Sequence, residues 1–192
     1  MSRLAVLAAV GAFVAVGGAP VWPAPSNPMQ LTRQSGLTPE THEFVFLHVH
    51  AHLDVFVNGK TVAVPAGIGI DIHAAAVKRF QAPDGTIGYG GISPACAKPC
   101  ISPLHTHFDD GILHTEAKKD QFNRLGQFFK EWHVRLSAKC VATFCKPKTR
   151  IAVYVDGTLL RGDPRFVKLK DKREIAVVIG KPPRTIPSHF PL

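Results

Sequence analysis

Three histidines and a glutamate crowd into "LHTHFDDGILHTE", Leu104–Glu116. Asp110-Gly111 lies between them, a pair suited to the two-residue turn of a β-hairpin. With that turn, His107 stands opposite His114 and His105 opposite Glu116. Opposite residues of an antiparallel pair share a face, with Cβ atoms about 4.5–5.5 Å apart, and so do residues two apart on one strand. His105, His107, His114 and Glu116 therefore form one array, with Thr106, Phe108, Leu113 and Thr115 on the other face. Three neutral imidazoles and a carboxylate suit a transition metal ion. Copper or zinc is favoured, because imidazole suits both and copper leads the affinity order; iron or manganese also accepts this set. A slipped hairpin with a longer loop would break the shared face.

A second array precedes it. From Val45 to Val57 the odd positions read Val, Leu, Val, Ala, Leu, Val, Val, and the even positions from Phe44 read Phe, Phe, His, His, His, Asp, Phe. Strict alternation predicts a strand with one face in the core and His48, His50 and His52 together on the other. The two arrays line one site, some residues as ligands and others orienting them, or they make two. Asp54 shares the histidine face. In an enzyme of this kind, Glu116 or Asp54 would be the catalytic base acting on metal-bound water. His42, His73, His133 and His189 are isolated and read as non-ligands. The chain has no G-x-S-x-G, Walker A, G-x-G-x-x-G or H-E-x-x-H motif.

Several elements must hold these arrays. Asn58-Gly59 predicts a two-residue hairpin turn, with "KTVAV" as the returning strand. Asp71 to Phe80 reads as a short helix, and Thr86 to Tyr89 as a strand. "DQFNRLGQFFKEWHVRL" places Phe122, Leu125, Phe128, Phe129, Trp132 and Leu136 at helical spacing, with Asp120 near the start as a cap. "RIAVYVDGTLL", bent at Asp156-Gly157, and "FVKLKDKREIAVVIG" add strands. The fold class is α+β: a β-rich single domain with one main amphipathic helix and an inserted histidine-bearing hairpin.

Residues 1–19 have the layout of a signal peptide: Arg3, an apolar run from Leu4 to Val16, then small residues. An uncleaved membrane anchor is the alternative. Residues 20–40 read as a proline-rich linker, 41–181 as the metal-binding domain and 182–192 as a proline-rich tail. Export, to the periplasm or beyond the cell, makes disulfides possible. Cys96, Cys100, Cys140 and Cys145 form two close pairs, and three pairings remain open. "CAKPC" is looser than the usual zinc C-x-x-C. The net charge of +9 is uneven: residues 31–116 hold five basic and eight acidic side chains, residues 117–192 hold 17 and six. A basic half in an exported chain suits an anionic envelope polymer or a solvated surface rather than a specific nucleic acid.

Three resemblances bear on this reading. "VFVNGKTVAVPAG", "LGQFFKEW", "IAVYVDGTLL" and "LKDKREIAVVIG" resemble the β-grasp fold, and are most similar to the small sulfur carriers of thiamine biosynthesis. That resemblance covers about half the chain, with residues 71–117 as an insertion, and implies a β-grasp-like core. The carriers' Gly-Gly tail is replaced by "HFPL", so sulfur transfer is not implied; nor does the cysteine spacing match the β-grasp ferredoxins. More widely, "HVHAHL", "VNG", "VPAGIG", "LHTH", an acidic-Gly turn, "LH-x-E" and "LGQFF" resemble a family of exported, histidine-rich prokaryotic proteins with no assigned function. Three His and one Glu are also similar to the ligand set of cupins, whose glycine-flanked motifs are missing here. The functions left in view are an exported protein for metal capture or buffering, a secreted metalloenzyme of hydrolytic or oxidative chemistry, and an envelope-polymer-binding module.

Overall fold

The alternating run becomes the central strand of the structure, β1 (Leu47–Val57). This is a computed structural model, which describes residues 20–191; the expected signal peptide, 1–19, lies outside the described residues. In chain order follow β2 (Lys60–Val62), β3 (Lys78–Gln81), β4 (Ile87–Gly90), β5 (Leu104–His105), β6 (Ile112–Ala117), β7 (Cys140–Val141), β8 (Phe144–Cys145), β9 (Ile151–Val155), β10 (Thr158–Leu159) and β11 (Arg173–Ile179). Two short helices complete this strand-rich α+β fold, α1 (Pro28–Gln34) and α2 (Leu125–Glu131). The main sheet runs β10-β9-β11-β1-β6-β5. β11 is parallel to β1, and β6 is antiparallel along its first half, pairing Leu47 with Ala117 through His52 with Ile112. β2 pairs with Val55–Val57.

The two faces of β1 separate as period-2 alternation requires. Ala51, Leu53, Val55 and Val57 are buried in one core with Leu125, Phe128, Phe129 and Trp132 of the α2 region. Each such large apolar side chain contributes roughly 1.5–3 kcal/mol by leaving water. The opposite face carries His48, His50, His52 and Asp54, then Phe56, which packs with Ala176, Val178 and Ile186. Val45 and Phe46 continue the alternation in sequence but are exposed. β6 ends at Ala117 opposite Leu47, so the β1–β6 ladder does not extend to them.

Of the turns expected at Asn58-Gly59, Asp110-Gly111 and Asp156-Gly157, two form. Asn58-Gly59 and Asp156-Gly157 both have positive φ at both residues, and close Val57 onto Lys60 and Val155 onto Thr158. Asp110-Gly111 does not: only Gly111 has positive φ. The connection from β5 to β6 is the longer stretch 106–111, and the pairing is His105 with His114 and Leu104 with Thr115.

Other expectations need correction. The main helix covers Leu125–Glu131 rather than 120–136. Its start is displaced because residues 123–125 run extended against 167–169: Leu125 N–H donates to Val167 O and Leu169 N–H to Asn123 O, at 2.9 Å each. Gln127, not Asp120, caps it, accepting from Arg124 N–H at 2.9 Å. The helix stops where His133 turns left-handed (φ 60°) and Val134 N–H reaches back to Phe129 O, a Schellman-type ending. The short helix expected at 71–80 is instead a run of turns begun by Asp71, which accepts from His73 N–H, followed by β3. Residues 20–40 do more than link: they contain α1, and Trp22 enters the core, its carbonyl accepting from Trp132 Nε1–H at 3.0 Å. The cysteines pair as Cys96–Cys100 and Cys140–Cys145. Among the described residues no helix is long and apolar enough to cross a membrane.

Candidate metal centre

The register brings both histidine arrays onto one sheet face. β1 sets His48 opposite Glu116 and His50 opposite His114, while β5 sets His105 on the far side of His114. The hairpin shift moves each partner by two positions, not one, so side-chain parity survives and His105, His114 and Glu116 still point the same way. His107 lies beyond β5 yet stays in the group, because its main-chain carbonyl accepts from Tyr89 N–H of β4 at 3.2 Å. The stretch around it is pinned further: Thr106 Oγ1 donates to Pro65 O and accepts from Ile68 N–H.

The geometry converges on one carboxylate oxygen. Glu116 Oε1 lies 3.1 Å from His48 Nε2, 3.4 Å from His114 Nδ1, 3.7 Å from His107 Nε2 and 3.9 Å from His105 Nε2. The two Nε2 atoms of His105 and His107 are 3.3 Å apart. Each of these rings is oriented from behind. His105 Nδ1–H donates to Ser102 O at 2.8 Å, and His107 Nδ1–H to Tyr89 O at 2.6 Å. A main-chain carbonyl accepts only, so these bonds hold the proton on Nδ1 and turn the Nε2 lone pair inward. His114 Nδ1 is buried and makes no aligned hydrogen bond among the described residues.

Protonation follows burial and neighbours. Complete burial pushes His105 down to about 3, and the adjacent His107 adds to this. Burial also lowers His114 and His50. Burial disfavours charge on His107, but the nearby Glu116 carboxylate and the hydrogen bond to the Tyr89 carbonyl outweigh it and raise its pKa. Burial would raise Glu116, yet the imidazoles of His107, His114 and His105 crowded around it hold its carboxyl well below the ordinary range. The centre thus presents mostly neutral imidazoles around an ionised carboxylate.

His52 and Asp54 fall elsewhere. Each ring nitrogen of His52 is engaged, Nδ1 with Glu174 at 2.8 Å and Nε2 with the Asp110 carbonyl at 3.0 Å. Those contacts outweigh burial and raise its pKa, and a doubly donating imidazolium has no lone pair for a metal. Asp54 lies 3.7 Å from His52 Nδ1 and groups with it and Glu174, apart from Glu116. Glu174 was missed in the sequence. Its signal was an acid within "REIAVVI", one strand over from His52 in the parallel pair. The orienting carbonyls of Ser102 and Tyr89 have no side-chain signature at all.

Among the described residues, three groups bring side-chain atoms that could ligate an ion within 4.8 Å of one another: His105, His107, His114 and Glu116; His48, His50 and His114; and His52, Asp54 and Glu174, the last with both imidazole nitrogens already engaged. No family model, curated protein or solved structure matches the chain.

Proposed function

We propose that this is an exported transition-metal-binding protein, whose ion sits between His105, His107, His114 and Glu116 and serves metal capture or buffering, with copper or zinc as the ion. The observation that carries this reading is the convergence of electron pairs: Nε2 of His105 and of His107 face each other and Glu116 Oε1, with their Nδ1 protons committed to carbonyls. Such an arrangement lacks a donor at its centre, and a cation supplies what is missing. The spacing suits the purpose. A tetrahedral ion about 2.0–2.1 Å from each ligand sets its ligands about 3.3 Å apart, and His105 Nε2, His107 Nε2 and Glu116 Oε1 stand 3.3 to 3.9 Å from one another.

Four protein ligands favour holding an ion over catalysis, which keeps one position open. A carboxylate as acidic as Glu116 is also a weak general base. The two cysteine pairs at disulfide distance are compatible with an oxidising compartment. The sheet order β2-β1-β11-β9-β10, with β1 and β11 parallel, supports a β-grasp-like core. With it goes membership of the exported histidine-rich family that the motifs resemble.

The test is the metal content of protein purified from the exported fraction, for the wild type and His107→Ala. One tightly held ion in the wild type, lost in the variant, is expected. A metal-free wild type that still binds an anionic polymer after chelation would replace this reading with the envelope-module one, which rests on the basic residues 117–192.

A further inference from the structure

The four-ligand set leaves its neighbours His48 and His50 unused. His48 and His50 point their Nε2 atoms at each other, 2.9 Å apart, at the open side of the same face. Together with His114 they form a group whose ligand atoms all lie within 4.8 Å of one another. The pairing of β1 with β6 makes this a consequence of register, since His50 stands directly opposite His114 and His48 opposite Glu116.

We infer that His48, His50 and His114 hold a second transition-metal ion, so that the sheet face carries a two-ion centre in which His114 is shared. This rests on the proposed four-ligand site being occupied, and adds an outer ion to it. Burial runs continuously from one position to the other: the side chain of His105 is 0% exposed, those of His107 and His114 16% and 15%, and that of His48 42%. The outer ion therefore lies nearer to solvent than the inner one.

His114 has two ring nitrogens, and neutral imidazole carries one proton between them. Ligation through both nitrogens releases that proton to solvent and leaves an imidazolate. The charge favours this loss. Two dications stand against the carboxylate of Glu116 and the imidazolate, with the Asp171 carboxylate close by, accepting from His50 N–H at 3.2 Å. No electron is transferred and no bond within the protein breaks other than that N–H.

Titration of the full metal-free chain with zinc alone, and separately with copper(II) alone, tests this at mildly alkaline pH. The wild type is expected to take two ions. The His48→Ala/His50→Ala double variant takes one, and so does His105→Ala/His107→Ala. In weakly buffered solution the wild type releases one more proton than the sum of the two double variants, because only it ligates both nitrogens of His114. Circular dichroism of each variant confirms that it is folded before its ions are counted. A wild type that saturates at one ion, with unchanged affinity in His48→Ala/His50→Ala, overturns the second site while leaving the inner one standing. A wild type that takes no ion removes the inner site as well. Two ions without the extra proton, or an outer ion indifferent to His114→Ala, overturns the sharing and marks the outer ion as adventitious.

Discussion

His105 and His107 face each other through their Nε2 atoms at 3.3 Å, and each ring is turned into that position by a main-chain carbonyl behind it. The two imidazoles are thus prepared as lone-pair donors before any ion arrives.

Removing either ring should therefore cost more than removing an orienting partner. His105→Ala or His107→Ala is expected to weaken zinc binding by more than the roughly 10–100-fold typical of losing an outer support. Competition against a chelator of known affinity measures it. Affinity within a few-fold of the wild type in both variants would show that the ion is held elsewhere.

Gly90 offers a way to disturb the centre without deleting a ligand. A Cβ at this position would lie 2.6 Å from His107 Nδ1 and 2.9 Å from Glu43 Oε1, at a φ of +147°. Gly90→Ala is expected to push the His107 ring off its Tyr89 anchor. Metal affinity should fall on the order of 10–100-fold while the far-ultraviolet circular dichroism stays that of the wild type. Undiminished affinity would mean that the Tyr89 contact does not position the ring.

Gly111 tests the longer hairpin connection. It has a φ of +79°, and a Cβ there would lie 2.7 Å from the Leu53 carbonyl oxygen and 2.8 Å from His52 Nε2. Backbone cannot swing aside as a side chain can. Gly111→Ala is expected to destabilise the fold by about 1–3 kcal/mol, read from the urea unfolding midpoint. A shift within error would argue that the β5–β6 connection repacks freely.

How far these features could be read in advance depended on how local they were. Faces were legible, because alternation at His48, His50 and His52 needs only the strand period. The tetrad survived an error in register for the same reason: a two-position shift keeps parity. The loop itself was not legible. Asp110-Gly111 has the same local preference as Asp156-Gly157, but Gly111 O is taken by Leu53 N–H at 2.9 Å, a contact from a strand far away in sequence. The start of α2 failed likewise, since its neighbours at 167–169 are distant in the chain. That His50 and His105 would flank one His114 is a matter of strand order, on which side-chain spacing is silent.

Glu131 supplies a pH dependence that does not involve the ligands. It is wholly buried, with Oε1 accepting from Ser102 Oγ–H at 2.7 Å and from Ser35 Oγ–H at 3.2 Å. Burial raises its pKa to about 8, despite those hydrogen bonds. Between the unfolded value of 4.5 and about 8, the folded chain keeps a proton that the unfolded chain gives up. Stability is therefore full below that window and declines as pH rises through it, by up to about 1.4 kcal/mol per pH unit. Glu131→Gln cannot ionise, so its stability relative to the wild type should grow steadily from pH 5 to pH 8. Urea unfolding at both pH values checks this, and a constant difference would show that Glu131 is ionised in the folded state.

The central place of β1 has a mechanical consequence. His50, His114 and His105 stand on three laterally hydrogen-bonded strands, β1, β6 and β5. Their spacing is set by the interstrand repeat of about 4.7–4.9 Å, a ruler made of main chain. A loop that wraps an ion can widen for a larger one; these three strand positions can spread only by parting their ladder. For the ion proposed above, such a frame would discriminate by stiffness, tolerating ions that fit the gap and straining against those that do not.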